Sequence, residues 1–163
     1  MSAGLDAFAA YFEGVNCEFE RVGDDVITAG IEVEAADEEG EPQGEGNGVA
    51  LDVIIQSDHD EDGEEEQLAV YVNWPLQVPE DKLAQAAEFV LRANFGVLVG
   101  SIELDFDDGE VRSKTGLDVF KLDDAACETL FQNSMNLTMM YFPALQAVLD
   151  GMGVEEALAE VEG

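Results

Sequence analysis

The chain has 163 residues, of which 47% are hydrophobic. It contains 38 acidic residues and only 6 basic ones, which gives a formal net charge of −32 at pH 7. Length and hydrophobic content predict a single domain over residues 1–163 with a core of its own. The charge argues against nucleic acid and anionic membranes as partners, because both are bound through clustered Lys and Arg.

Two interpretations of this acidic charge stay open. In a salt-loaded cytoplasm, screening makes the self-repulsion tolerable, and surface carboxylates keep the protein hydrated. Alternatively, an acidic surface attracts a basic protein or mimics nucleic acid, which would concentrate the charge on one side. Carboxylates occur along the whole chain and basic residues are scarce everywhere, so the pattern favours adaptation to high salt, as in a halophile.

The N-terminal sequence favours a cytoplasmic location. Residues 1–12 show neither a basic segment nor a cleavage pattern, and no apolar run reaches membrane-spanning length. Cys17 and Cys127 fit no ligand spacing, and we expect both to be reduced thiols.

The first half of the chain predicts one helix and four strands. Apolar residues at helical spacing between Leu5 and Phe12 predict a helix that ends near Gly14. Strands are expected at 16–22, 27–34, 49–56 and 68–74, the second and third with clear alternation of apolar and polar residues. The acidic segments 36–48 and 57–66 lack periodicity and are expected to be mobile loops.

The second half predicts a helix, a hairpin and further helices. A helix is expected from Pro79 to Gly96, with its buried side lined by Leu83, Ala86, Ala87, Val90, Leu91 and Phe95. A hairpin follows, with a strand at 101–106, a turn at 107–109 and a return strand from Val111. Asp123 is expected to cap a helix over 124–141, which Pro143 kinks or restarts, and 154–161 to form a short final helix.

This element order, α-β-β-β-β-α-β-β-α, does not alternate as βαβ units do. It predicts an α+β fold in which helices pack on an antiparallel sheet. The order of the strands cannot be read from the sequence.

One motif suggests a cation site. Residues 58–63, Asp-His-Asp-Glu-Asp-Gly, match the first half of an EF-hand loop, but position twelve is Ala69 instead of a glutamate. In so acidic a chain the match arises easily by composition. Calcium or other cation binding by the 58–66 loop is therefore the alternative function, and a solvated loop is favoured.

No pattern points to catalysis or to a cofactor. His59 is the only histidine, so no zinc pattern forms, and the serines lack a nucleophile-elbow context. With 38 acids, pairs of carboxylates carry almost no information. We expect a non-enzymatic protein that needs no cofactor and no metal.

The C-terminal helix carries more apolar residues than one buried stripe of about 100° requires. Part of it is therefore expected to meet the N-terminal helix, a second subunit or another protein, and methionine suits surfaces that accept varied partners. Packing entirely within one chain is the competing interpretation. The predicted partner-binding residues are Met135, Met139, Met140, Phe142, Leu145 and Leu149.

The C-terminal half resembles the YbjN family, whose fold is similar to that of the type III secretion chaperones. The residues that carry the resemblance are Phe89–Asn94, Gly100–Asp105, Asp108–Arg112, Lys114, Thr115 and Tyr141–Leu145. It implies a homodimer whose helix–sheet surface holds another protein. The family is labelled a sensory transduction regulator, so the resemblance implies a regulatory or chaperone-like protein and supplies no catalytic residues.

Overall fold

A computed structural model of the chain describes residues 2–34, 48–59, 66–118 and 122–163, apart from the side chains of Glu34, Leu117, Asp118 and Glu162. The helices are α1 (Ala3–Gly14), α2 (Leu83–Gly96), α3 (Asp124–Leu149) and α4 (Val154–Glu162). The strands are β1 (Glu20–Val22), β2 (Val26–Glu34), β3 (Gly48–His59), β4 (Glu66–Gln77), β5 (Ser101–Leu104) and β6 (Glu110–Asp118). The predicted α+β fold is confirmed.

The six strands form one antiparallel sheet in the order β1-β2-β3-β4-β6-β5. The return strand β6 pairs with β4 on one side and with β5 on the other, so β5 is an edge strand. The sheet therefore joins the N-terminal meander to the hairpin that follows α2.

The helices cover one face of this sheet, α4 by packing on α2 and α3. The core has two clusters: α1 covers β2, β3 and β4, whereas α2 lies over the β5–β6 side. Helix α3 contributes to both clusters, because Leu130 and Met135 belong to the first and Leu137 and Leu145 to the second. The longest helix thus ties the two halves of the core together.

Buried hydroxyl groups lie where α3 crosses the centre of the sheet. Trp74 Nε1 donates to Ser113 Oγ at 2.9 Å, and Thr138 Oγ1 lies 3.0 Å from the same oxygen. Ser134 Oγ donates to the carbonyl of Val70 at 3.0 Å, and Thr115 Oγ1 donates to the carbonyl of Leu130 at 2.9 Å. We call these groups the hydroxyl seam; their mutual bonds satisfy polar atoms that would otherwise be costly to bury.

The strands are longer than the sequence predicted at both acidic segments. Ser57, Asp58 and His59 belong to β3, and Glu66 begins β4, because the ladder continues through the pair His59–Glu66. Gly48 likewise belongs to β3. The rest of the predicted loops, 36–47 and 60–65, lies outside the described residues. Strand β1 is shorter than predicted.

Two helix predictions need correction. In α2 the buried residues are Ala86, Phe89, Val90 and Ala93, so assigning Leu91 and Phe95 to the buried side is wrong. The buried stripe follows the i, i+3, i+4, i+7 spacing from Ala86, and Leu91 and Phe95 lie off it. Helix α3 does not end near residue 141: it runs unbroken to Leu149 with Pro143 inside it.

The predicted hairpin turn is confirmed at Gly109. This residue adopts φ +79°, a left-handed conformation that glycine tolerates best. Its carbonyl accepts a hydrogen bond from the amide of Val78 at 2.9 Å, and a Cβ atom there would lie 2.2 Å from the Val78 carbonyl oxygen. The turn is thereby held against the chain that leads into α2.

Candidate protein-binding surface

The six predicted partner-binding residues fall into three groups. Met135, Leu145 and Leu149 are buried, with exposures of 8%, 0% and 8%, and they serve as core residues of this chain. Met139 and Phe142 are partly buried and pack against the core. Only Met140 is exposed, at 52%.

Large exposed apolar side chains lie instead at the end of α2 and in the segment that follows it. Leu91 and Phe95 are 72% and 95% exposed, one turn apart on the outer side of the helix. Leu98 and Val99, in the next four residues, are 96% and 53% exposed. Water-exposed apolar area of this kind marks interaction surfaces.

Asn94 fixes the segment that carries these residues. Its side-chain amide donates to the carbonyl of Ile102 and accepts from the Ile102 amide, both at 2.8 Å. This pair of bonds closes the chain between the end of α2 and β5. The exposed side chains between Asn94 and Ile102 are therefore held on a preorganised segment, which lowers the entropy cost of binding.

The segment also lies beside α3. Gly100 approaches it so closely that a Cβ atom there would be 2.8 Å from Leu137 Cδ1, and Gly100 has φ +86°. Met140 lies one helical turn beyond Leu137, about 5–6 Å away. We define the apolar patch as Leu91, Phe95, Leu98, Val99 and Met140.

Two segments of the chain, 93–102 and 129–149, contain no charged residue. All residues of the apolar patch lie on these segments except Leu91, which lies two residues before the first. Beside it is an open hollow of about 610 Å³, lined by Leu91, Phe95, Leu158 and Ala159 together with Arg92 and Glu155. Arg92 Nε lies 2.8 Å from Glu88 Oε1, and Arg92 Nη1 lies 3.4 Å from Glu155 Oε1, so the nearby carboxylates are paired. An apolar surface with few charged side chains, on a chain whose net charge is −32, is suited to binding another protein.

The sequence predicted partner-binding residues on α3 and did not predict the exposed apolar side chains at the end of α2. The available signal was that α2 has more apolar residues than one stripe needs, followed directly by Val97-Leu98-Val99. Both facts were in the sequence, but a helix pattern alone does not tell which of two apolar stripes faces the sheet.

The open face of the sheet has a different character. Tyr71 lies at its centre, with the Arg112 guanidinium 4.4 Å and Lys114 Nζ 5.4 Å from the ring centroid. Both cations also pair with Glu103, at 2.7 and 3.5 Å. This face is polar and its described basic groups are paired, so it offers no comparable apolar surface.

The described part of the predicted cation loop makes other contacts. Asp58 Oδ1 accepts from the amide of His59 at 3.0 Å, and both side chains are exposed at the end of β3. Residues 60–65 lie outside the described residues. In the ranges that the structure describes, no group of three or more His, Cys, Asp or Glu side chains is placed to hold a metal ion.

Glu66 binds the start of α1. Its carboxylate accepts from the Ser2 hydroxyl, from Ser57 Oγ at 2.9 Å and from the Gly4 amide at 3.1 Å. Burial raises the pKa of Glu66, but these hydrogen bonds and the nearby His59 outweigh it and hold the pKa below its ordinary value. In a catalytic triad, His59 would lie between the acid and the serine. Here the Glu66 carboxylate accepts a hydrogen bond directly from Ser57, so the three residues do not form a triad. The arrangement serves as a helix cap.

We predict that Glu66→Gln lowers the free energy of unfolding at pH 7 by about 1–2 kcal/mol, the usual loss for a cap. The folded pKa of Glu66 is depressed, so its contribution is present above the unfolded pKa of about 4.3 and is lost as pH falls through the folded value. Urea unfolding of both proteins from pH 7 to pH 3 at constant KCl checks this. The difference should shrink below about pH 4; a difference independent of pH would show that the charge is not what stabilises the contact.

The chain matches the model of the YbjN family, described as a putative bacterial sensory transduction regulator, over residues 5–147. This match includes α2, the segment after it and Met140, and it ends before α4. No curated protein matches the chain. Among the described helices, none combines the length and apolar character that crossing a membrane requires.

Proposed function

Because the chain belongs to the YbjN family, we propose that it is a regulatory protein that acts by binding another protein through the apolar patch and catalyses no reaction. The match to a family of sensory transduction regulators supports the regulatory part. The high exposure of Phe95 and Leu98 on a charge-poor surface supports binding through this patch and carries the proposal.

The patch relocates the binding surface predicted on α3 but keeps part of it. Met140 belongs to it, and Phe142 and Met139 lie partly buried in the same helix. Met135, Leu145 and Leu149 then act indirectly, because they hold α3 in place beneath the surface. A partner would bury apolar side chains that now face water. Removing apolar surface from water is favourable by about 25 cal/mol per Å².

The proposal extends to the setting in which the protein works. The charge of −32 suits a cytoplasm with molar salt, where the acidic surface keeps the protein soluble and disfavours acidic and apolar competitors. A homodimer that holds another protein, as a chaperone does, is part of the same proposal.

Replacing Leu98 by Asp is expected to abolish partner binding while leaving the fold intact, because the side chain is 96% exposed and has little packing to lose. Tagged wild-type protein, purified from its own cells in molar KCl, should retain a stoichiometric protein partner that Leu98→Asp loses. The matched control is Val22→Asp, which introduces the same charge at a site 51% exposed on β1, far along the chain from the patch.

Circular dichroism on each protein separates loss of binding from loss of structure. Retention of the partner by Leu98→Asp, or its loss from both variants, would remove the patch as the binding surface. Release of bound calcium from the native protein, without a protein partner, would favour the cation-binding alternative instead.

A further inference from the structure

We infer that β2 binds an extended segment of another protein along the part of its edge that β1 leaves unpaired. In this segment basic and apolar residues alternate, and it adds to the sheet as a further strand beside residues 29–33. The site lies near the end of the sheet opposite to β5, so it is separate from the apolar patch and does not depend on the function proposed for that patch.

The outer edge of β2 is paired over only part of its length. On the side of β3, the whole strand takes part in the ladder. On the side of β1, only residues 26–28 have a strand partner in the described ladder. The chain before β1 turns back to α1, where the Cys17 amide donates to the Phe12 carbonyl at 2.9 Å. We define the open edge as residues 29–33 on the side of β1, where backbone groups offer a template for another strand.

The opposite end of the sheet is closed. The last strand there is β5, and the side-chain amide of Asn94 takes the place of a neighbouring strand beside it. This amide bonds both the carbonyl and the N–H of Ile102, each at 2.8 Å. Within the described ranges, the open edge has no such closure, and an edge of this length is the surface to which extended peptides add.

The side chains along the open edge determine which segment fits. Ile31 and Val33 are partly buried and pack against the first core cluster, on the helix side of the sheet. Gly30 and Glu32 alternate with them and are exposed on the open face. A strand added here alternates in the same way. Its apolar residues therefore extend the contact with Ile31 and Val33, and its remaining residues lie on the open face beside Glu32.

The open face is acidic beside this edge. Next to Gly30 lies a hollow of about 480 Å³, whose lining includes Glu18, Glu20 and Asp52. None of these three carboxylates has an ion-pair partner in the part of the chain that the structure describes. Asn73 also lines the hollow, and its buried side-chain oxygen has no hydrogen-bond partner among the described residues. A lysine or arginine side chain in the hollow supplies the positive charge and the donors that these groups lack.

The same charges disfavour a second copy of the chain at the open edge. Two such edges side by side would bring together Glu32 and the carboxylates of the hollow from both copies. Like charges that face each other on neighbouring strands are destabilising. An acidic segment of another protein meets the same repulsion, so the charge of this edge favours a basic segment.

A blocked peptide in which lysine and valine alternate tests the inference on the full chain. Calorimetric titration in molar KCl limits diffuse attraction to the net charge, because the Debye length is then about 3 Å. We expect the peptide to bind and to slow hydrogen exchange at those backbone amides of residues 29–33 that point away from β3. The same peptide with N-methylated backbone amides should bind at least about tenfold more weakly, because it cannot form the ladder.

Gly30→Lys should weaken binding of the peptide at least about tenfold, because the new side chain brings its own positive charge to the hollow. No atom lies within 4 Å of a Cβ built at Gly30, so the fold tolerates the change. The matched control is Gly153→Lys at the start of α4, where the nearest atoms, in Glu156, lie 4.0 Å from a new Cβ. Gly153→Lys and Leu98→Asp should both bind the peptide like the wild type, and circular dichroism verifies that each variant is folded.

Four results would each overturn the inference: no binding of the lysine–valine peptide, equal binding of the N-methylated peptide, unchanged binding by Gly30→Lys, or slowed exchange only outside residues 29–33. Equal weakening by Gly30→Lys and Gly153→Lys would show attraction to the net charge alone and would overturn it as well. If the peptide does not bind but Leu98→Asp loses the native partner, this inference fails and the proposed function stands.

Discussion

The melting temperature is expected to rise by about 15 °C or more between 0.1 and 2 M KCl. Folding brings 38 carboxylates into a small volume, and the ion pairs of the described residues use only Arg21, Arg92, Arg112 and Lys114. The uncompensated self-repulsion destabilises the compact state in dilute buffer, and screening removes it. Each kcal/mol of unfolding free energy that is regained raises the melting temperature by about 2–4 °C, so several kcal/mol give a rise of this size.

Differential scanning calorimetry over a KCl series measures the effect. Trimethylamine N-oxide at equal osmolality is the control, because it stabilises compact states without screening. Most of the rise should occur below 1 M KCl, as the Debye length shortens. A melting temperature that stays flat over the series would remove salt adaptation as the explanation of the charge.

Gly109→Ala should lower the free energy of unfolding by about 3 kcal/mol or more, which is exceptional for the addition of one methyl group. A left-handed φ of +79° costs an alanine about 1–2 kcal/mol. The rest comes from the Val78 carbonyl oxygen, which would lie 2.2 Å from the new Cβ. Because that contact is with backbone, no side-chain rotation relieves it, and the β5–β6 turn must separate from the entry to α2.

Gly23→Ala isolates the conformational part of this cost. Gly23 has φ +69° in the turn between β1 and β2, and nothing lies within 4 Å of a Cβ built there. Urea unfolding of both variants in molar KCl should show a loss at Gly23 of about 1–2 kcal/mol at most. Equal losses at the two positions would mean that the contact with Val78 yields without cost.

The period-two and helical patterns were sufficient to predict the α+β class and most of the elements. They failed where the pairing of strands, and not the local pattern, determines where a strand ends. The composition of Ser57, Asp58 and His59 is typical of a loop, yet these residues pair with β4. Strand order was also beyond reach, since nothing local tells that β6 inserts between β4 and β5. The family resemblance rested on residues that the structure explains locally, among them Asn94, Gly109 and Thr115.

Which apolar side chains are exposed was only partly predictable, for a related reason. An apolar side chain contributes the same signal whether it is buried or exposed, so Leu145 at 0% exposure and Met140 at 52% looked alike. Likewise Leu91 and Phe95 resembled core residues of α2. Distinguishing them requires the orientation of each helix on the sheet, which depends on contacts distant in sequence.

The hydroxyl seam gives this protein a natural optical probe. Trp74 is the only tryptophan, and its indole N–H donates a hydrogen bond to Ser113 Oγ beneath the middle of α3. Any loosening of that helix admits water to the indole and shifts its fluorescence to longer wavelength. Emission from unlabelled protein can therefore report whether an event at the surface is transmitted to the interior or stays where it begins.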